Sequence, residues 1–291
     1  KTSTGAKSTR ESELEKLLGE HPIIELVLEY RTFQKLLSTY IDTIPHMVEE
    51  DLRLHATFLQ AGTTTGRMSS NNPNLQNIPI KTELGNNIRK AFVAEKGFVL
   101  AAFDYSQIEL RVAAFLSGDP KLVEIFISGG DVHRAVAAQV FGVTPENVDK
   151  EMRRKAKVIN FGILYGMGVN ALRQNLGTNR EEAQAFYNEY FKTFSKLGAY
   201  IEGVKKEAAK KGYTTTFFGR RRNFEGLSSH IQYIKAMAER MAVNAPIQGT
   251  QADIIKIAMA RIDTHIKKEH LEKDVYLLLQ VHDELVYEIK E

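Results

Sequence analysis

The chain has 291 residues, 43% of them hydrophobic, and carries a net charge of +3 with no cysteine. That length and apolar content suit one large domain or two to three small ones around a packed core, and the missing cysteines exclude disulfides and thiolate metal sites. No apolar run is long enough for a membrane span, and the opening is rich in Lys, Ser and Thr, so the sequence predicts an intracellular globular chain without an export peptide.

The net charge is too small to argue for nucleic acid, but its distribution is uneven. Arg153, Arg154, Lys155 and Lys157 cluster, as do Lys205, Lys206, Lys210 and Lys211, and then Arg220, Arg221 and Arg222. A solvated helix face accounts for any one of these runs.

Residues 1–12 read as a loop or frayed terminus. Helical spacing follows over Leu14 to Leu18 and Ile23 to Tyr40, with Pro22 suited to a first turn. From Leu52 to Ile80 the pattern is a short strand, Thr57 to Leu59, and then a loop punctuated by Gly62, Gly66, Asn71, Asn72, Pro73 and Asn74. Arg67 sits in that loop among small polar residues. Phe98 to Phe103 is apolar, long enough for a buried strand and too short for a helix, and it stops on Asp104. A helix starts almost at once, with Ile108, Val112 and Phe115 on one face and Glu109 and Arg111 off it. An acid therefore stands at a strand-to-helix corner, where an ordinary turn-forming or capping Asp is the commonest case.

From Ile108 to Phe194 the pattern is mainly helical, broken at 117–120, 128–131 and 142–145. Asp131 reads as a helix N-cap, which puts His133 and Arg134 in a first turn. Met152 to Tyr165 carries Arg153, Lys157, Phe161 and Tyr165 four residues apart. The four form a slowly winding stripe roughly 18 Å long, cations toward the helix N-terminus and aromatics toward its C-terminus. Cations and free amides attract phosphate and an aromatic face stacks on a base, so the stripe has the layout of a nucleoside triphosphate. A basic surface helix with its aromatics in the core fits the same spacing. It is no P-loop, since Gly162, Gly166 and Gly168 follow the cations instead of preceding them.

Gly219 to Arg222, after Phe217 and Phe218, suggests a hairpin or strand end. A long helical pattern then runs from Ile231 to about His265, with Pro246 marking a kink or break. On it Arg240, Asn244 and Gln248 are polar among Ala, Met, Val and Ile. They suit the minor-groove acceptors common to every base pair, or else satisfy one another inside the core. Val275 to Val281 is a second apolar run, broken at His282-Asp283-Glu284 before Leu285, Val286 and Ile289 resume a strand, which puts acids at a hairpin tip. Two core strands each ending in Asp, 179 positions apart, can share one metal site. Hard carboxylate oxygens suit Mg²⁺ better than zinc.

At these residues the sequence resembles the family A DNA polymerases. Asp104-Tyr-Ser-Gln-Ile-Glu-Leu-Arg111 is similar to the family's motif A, Arg153-x-x-x-Lys157-x-x-x-Phe161-x-x-x-Tyr165-Gly166 to motif B, and His282-Asp283-Glu284 to motif C. Thr65 to Ser70, Pro73 to Pro79 and Asn244 to Gly249 extend the likeness, with Met68 where Leu is usual. The resemblance covers nearly the whole chain and implies an α+β right-hand polymerase fold: an antiparallel palm sheet, helical fingers and a helical thumb remnant. The segments implied are the end of the thumb at 1–42, palm at 43–108 and 194–291, and fingers at 109–193. It leaves no residues for a proofreading exonuclease or a 5′ nuclease, and most of the thumb is missing.

The activity implied is that of a DNA-directed DNA polymerase, a nucleotidyltransferase of replication and repair that adds dNMP from dNTP to a primer 3′-hydroxyl and releases pyrophosphate. By the same resemblance two Mg²⁺ ions bind Asp104, the Tyr105 carbonyl and Asp283, with Glu284 auxiliary and Lys157 donating a proton to pyrophosphate. Arg153, Lys157, His133, Phe161, Tyr165, Glu109 and Gln107 fall on the dNTP. Arg67, Arg240, Asn244, Gln248 and His282 fall on the primer-template DNA. The partners implied are primer-template DNA and dNTPs, with no membrane, for a monomer in a bacterial cytoplasm at the nucleoid. An RNA polymerase or reverse transcriptase shares the metal logic, though Glu109 speaks for exclusion of a ribose 2′-hydroxyl. A non-catalytic nucleic-acid binder would have lost a carboxylate or the lysine. A two-metal nuclease would not need the triphosphate stripe.

Overall fold

The computed structural model describes residues 7–79 and 82–291. Of the loop expected at 1–12, residues 1–6 lie outside the described part, and a short helix α1, Glu11–Leu14, already occupies its end. Ile80, the end of the expected 52–80 segment, also lies outside it.

The chain forms two compact units. The first takes Lys1–Leu59, Ser69–Leu100 and Glu288–Glu291. Its main helix α2, Pro22–Leu36, begins as expected, with Pro22 in the first turn and His21 Nδ1 accepting the Ile23 amide at 3.1 Å. Strand β1, Thr57–Leu59, pairs antiparallel with β2, Ser69–Asn71, so the pairing anticipated for Thr57 to Leu59 forms. A helix α3, Glu83–Lys90, capped by Thr82 on the Gly85 amide, was not legible in the pattern.

The second unit takes Gln60–Met68 and Ala101–Tyr287. Strand β3, Phe98–Asp104, leads through a left-handed Gln107 (φ +56°) into α4, Ile108–Ser117. The anticipated breaks then separate α5, Pro120–Ile127, α6, Val132–Phe141, and α7, Lys150–Leu164. Helices α8, Val169–Leu176, α9, Arg180–Thr193, and α10, Ser195–Lys211, follow. Strands β4, Tyr213–Thr215, and β5, Arg221–Asn223, make the hairpin expected near Gly219. Helix α11, Gln232–Lys268, continues through Pro246 as one element, so of the kink or break that the pattern had suggested the break does not occur. Burial explains the tolerance: Ala242, Val243, Ala245, Pro246 and Ile247 are all core residues, so packing offsets the lost backbone bond. The hairpin of β6, Val275–Val281, and β7, Glu284–Lys290, completes a three-stranded sheet in the order β3-β7-β6.

The small side chains of Ala208, Ala238, Ala242 and Ala245 let α10 and α11 meet closely, with Phe224 and Leu227 filling the same cluster. Buried Asp119 ties two further helices together. Its Oδ1 accepts the Lys121 and Leu122 amides at the start of α5, and its Oδ2 accepts the Lys196 and Leu197 amides at the start of α10. One carboxylate thus serves two helix N-termini.

The expectation of two core strands is corrected. Strand β3 lies at one edge of the sheet with Phe103 57% exposed, and β6 lies at the other with Tyr276 40% exposed. The buried strand is the central one, β7, through Leu285 and Tyr287. An apolar run marks a strand but does not say whether it stands in the middle of a sheet or at its edge. Phe115, expected on the inner face of α4, is likewise exposed and meets the Phe217 ring edge-on at 5.0 Å, while Ile108 and Val112 are buried.

Candidate active site

Strand β3 ends on Asp104, and the next amide, Tyr105 N–H, donates to the Asp283 carbonyl at 3.1 Å. That bond joins the strand-to-helix corner to the tip of the β6–β7 hairpin. The tip is only His282 and Asp283 long, and His282 takes φ +55°, the left-handed conformation tight hairpins need. Gln280 Nε2 donates to the His282 carbonyl at 2.6 Å and holds the turn, leaving the His282 side chain exposed.

Partial desolvation first, and the Asp283 charge second, push the Asp104 carboxyl above the usual carboxylate range, while Lys157 pulls it down. The two acids therefore feel each other across the corner, with one α7 cation in range. Half-buried Glu284 opens β7 beside them. Among the described residues no group of three or more His, Cys, Asp or Glu side chains could hold a metal ion. The donors at this corner are two carboxylates and backbone carbonyls. Such hard oxygens suit a Mg²⁺ ion that keeps several waters or substrate oxygens in its shell.

Helix α7 presents its stripe as the spacing anticipated. Ala156, Ile159, Asn160, Ile163 and Leu164 are buried, whereas Arg153, Phe161 and Tyr165 are half-buried and Lys157 is exposed. The Phe161 and Tyr165 rings stack at 6.2 Å with a 28° tilt, so the aromatics line an accessible face instead of filling the core. Arg153 Nε donates to Asp131 Oδ2 at 2.5 Å. His133 is buried, 5.7 Å from the Phe161 ring, with its Nδ1 facing Asn160 Nδ2 at 3.0 Å. Burial, reinforced by the charges of Arg153 and Lys157, lowers His133 to about 4 against the opposing pull of Asp131, so the ring is neutral at pH 7. Its Nε2 and Asn160 Oδ1 are buried without partners among the described residues.

At the end of α7, Gly166 has φ +78°, and a Cβ there would come within 2.7 Å of Arg240 Cγ. Glycine thus lets Arg240 lie close against the turn. Among the described residues Arg240, Asn244 and Gln248 form no hydrogen bonds with one another, and Asn244 Oδ1 is buried without a partner. The alternative in which these three satisfy each other does not occur.

A second polar centre lies around Arg67. Its Nη2 pairs with Glu109 Oε1 and also donates to Gln251 Oε1 at 2.6 Å. Burial, with Asp283 adding to it, raises the Glu109 carboxyl above the usual range although Arg67 opposes the shift. Behind it, Arg220 donates to the Thr65 carbonyl at 2.6 Å, the Gly249 carbonyl at 2.7 Å and Asp253 Oδ1 at 2.9 Å. Gly66 (φ +80°) has no room for a side chain, since a Cβ would fall 1.9 Å from the Arg220 guanidinium.

Gln251, Arg220, Asn160 and the pairing of Asp131 with Arg153 were not found from the sequence. The basic run Arg220 to Arg222 had been read as surface charge. Arg221 is indeed exposed and lies over the Tyr213 ring at 4.0 Å, whereas Arg220 and Arg222 are half-buried, with Arg222 over the Phe224 ring at 5.0 Å. Lys205 pairs with Glu202 and Lys211 with Glu207 on α10. The available signal was Asp253, one helical turn past Gly249 and facing the same arginine.

A fold of this class, a small antiparallel sheet carrying paired acids opposite a basic and aromatic helix, is that of a template-directed polymerase. The chain belongs to DNA polymerase family A, whose pattern matches residues 1–291. It is 52% identical over 289 residues to a thermostable DNA polymerase I of Thermus filiformis, covering 99% of this chain and 34% of that protein. It is 48% identical over 290 residues to DNA polymerase I of Bacillus subtilis, again covering 99% of this chain and 33% of the relative. Among solved structures, the POL domain of Pol1 from M. smegmatis, in complex with DNA primer-template and dNTP, superposes with a TM-score of 0.93 at 43% identity. That match covers 100% of this chain and 51% of the other. The chain spans about a third of the length of the curated relatives it matches.

Proposed function

We propose that this chain carries the nucleotidyl-transfer centre of a DNA-directed DNA polymerase, adding dNMP from a dNTP to a primer 3′-hydroxyl. The observation that carries the reading is the Tyr105-to-Asp283 bond of 3.1 Å, which unites two acids 179 positions apart beside Lys157. Two Mg²⁺ ions held by Asp104, Asp283 and the Tyr105 carbonyl, with Glu284 auxiliary, would supply an activated hydroxyl and neutralise the leaving phosphates. Arg153, Lys157 and His133 bind the triphosphate, and Lys157 gives the departing pyrophosphate a proton. Phe161 and Tyr165 pack against the incoming nucleotide, with Gln107 nearby. Glu109, held by Arg67, stands under the sugar and excludes a 2′-hydroxyl. Arg67, Arg240, Asn244, Gln248 and His282 touch primer and template through the minor groove and backbone, which gives contact without sequence preference.

In this reading residues 1–42 end a thumb, 43–108 and 194–291 form the palm, and 109–193 the fingers. The protein works as a monomer in a bacterial cytoplasm, in replication or repair. The relative solved with primer-template and dNTP supports DNA and dNTPs as partners here. A primer-extension assay with dNTPs or NTPs on DNA and RNA templates tests the proposal. Extension by dNTPs on DNA is expected, and extension only with NTPs or only on RNA would overturn it.

A further inference from the structure

The Asp131 carboxylate does two jobs with two oxygens. Oδ1 accepts the amides of His133 at 2.9 Å and Arg134 at 3.2 Å and so caps α6, while Oδ2 accepts Arg153 Nε at 2.5 Å. Burial works against the charge of Asp131, but the bonds from Arg153 and the two amides outweigh it and hold the carboxyl below the usual range. Among the described residues Arg153 makes no hydrogen bond through Nη1 or Nη2, and its side chain is 40% exposed. A guanidinium gripped through Nε alone keeps both terminal nitrogens for a second anion. That planar fork matches two oxygens of one phosphate.

We infer that Asp131 is a positioning residue for the nucleotide triphosphate: it holds Arg153 by Nε so that the outer fork meets phosphate already oriented, and its cap sets the first turn that carries His133. The inference rests on the proposed function, in which Arg153 and His133 take the triphosphate. Two effects oppose each other here. A carboxylate near the phosphates repels them, whereas an untethered arginine has several rotatable bonds to immobilise on binding. The tether wins because the Asp131 charge is already answered by Arg153 and two helix amides, and little of it reaches the ligand.

The cap and the tether separate by mutation, since Ser caps a helix about as well as Asp but has no second oxygen for Arg153. Single-nucleotide incorporation on a DNA primer-template is measured for the parent, Asp131→Ser, Arg153→Ala and the double variant, with inorganic tripolyphosphate as a competing probe. The expectation for Asp131→Ser is a KM for dNTP raised about tenfold, kcat within about twofold and weaker inhibition by tripolyphosphate, with an unchanged Tm. Arg153→Ala should then raise KM less in the Asp131→Ser background than in the parent, because the two residues act as one unit. Asp131→Asn supplies the control: its single oxygen either caps the helix or faces Arg153, so either KM should rise or Tm should fall, and a parent-like KM and Tm together would overturn the inference. An unchanged or lowered KM in Asp131→Ser, or additive effects of the two substitutions, overturns the inference while leaving the proposed function standing. A fall in Tm with kcat and KM moving together also overturns it, by reducing Asp131 to a cap. A parent inactive on dNTPs overturns the proposed function and this inference with it.

Discussion

Glu109 and the pair Asp104 with Asp283 are carboxylates of the same unit, yet the protein answers their charge differently. Glu109 is buried, 7% exposed, and its charge is met by Arg67, itself fixed by Gln251. Asp104 is exposed and Asp283 half-buried, the Asp283 charge raises the cost of ionising Asp104, and the cation that opposes this is the exposed Lys157. A paired, buried acid is a finished piece of structure whose shape and charge are set before any ligand arrives. Two mutually repelling acids on an exposed turn await positive charge from outside. One arrangement suits a gate, the other a cation site.

The comparison breaks most sharply at the acid pair. Asp104→Ala and Asp283→Ala should each lower the rate of primer extension by about a thousandfold or more, with DNA binding within about threefold of the parent, because repulsion of the phosphates falls as chemistry is lost. Filter binding alongside an extension assay reads both quantities, and retained extension in either variant removes the cation site from this corner.

Phe161, between His133 at 5.7 Å and Tyr165 at 6.2 Å, brings no charge. In the proposed function it faces the sugar, and there it would offer nothing to a phosphate oxygen left without a donor when a nucleotide lacks its 3′-hydroxyl. Phe161→Tyr would supply that donor, and a hydrogen bond to a charged acceptor is worth about 1.5–3 kcal/mol, roughly ten- to a hundredfold in selection. Competition between a dideoxynucleotide and its dNTP should show dideoxy use rising by that factor with dNTP use almost unchanged. Equal selectivity in both proteins would turn Phe161 away from the sugar.

At Glu109 the expected effect is smaller and double. Glu109→Ala should raise the ratio of NTP to dNTP incorporation about tenfold and also lower Tm by about 5 °C, since Arg67 loses its anion. Glu109→Gln, which keeps the volume, should recover most of the Tm. A changed Tm with an unchanged ratio would make Glu109 a structural acid only.

The smallest effect concerns pH. His133 titrates at about 4 in the folded chain, below its ordinary value, so between about pH 6.5 and 4 the unfolded chain binds the extra proton. The contribution of neutral His133 is complete above the ordinary histidine pKa and drains away as the pH falls toward 4. Thermal melts from pH 7 to 5 should show the parent losing about 3 °C more than His133→Gln. Parallel curves would mean that the ring is solvated.

Much of this could be read from the residues. Asp104 and Asp283 stood out because each interrupts an apolar run, and the α7 stripe because steps of four keep side chains on one winding face. Caps were legible too, as Asp131 precedes a helical pattern. The partners of these groups were not. Nothing local marks Gln251 as the second acceptor of Arg67, or Arg220 as the link from Thr65 to Asp253, because such bonds join segments brought together only by folding.

The sequence by itself determined most of the order of strands and helices, with α3 the exception, and also the placement of acids at turns, the basic and aromatic face of α7 and the family resemblance. All of these are written in short-range spacing, which the backbone periods of two and 3.6 residues translate directly. Tertiary structure alone decided that β3 and β6 lie at sheet edges with β7 between them, that α11 absorbs Pro246 without breaking, and that Arg220 ties Thr65 and Gly249 to Asp253. Burial and ion pairing depend on which distant surfaces meet, and an apolar run or a cluster of arginines carries no record of its neighbour. The same is true of charge: Glu109 became a paired acid and Asp104 an unpaired one because of where Arg67 landed, 42 positions before one of them and beyond the reach of any local pattern.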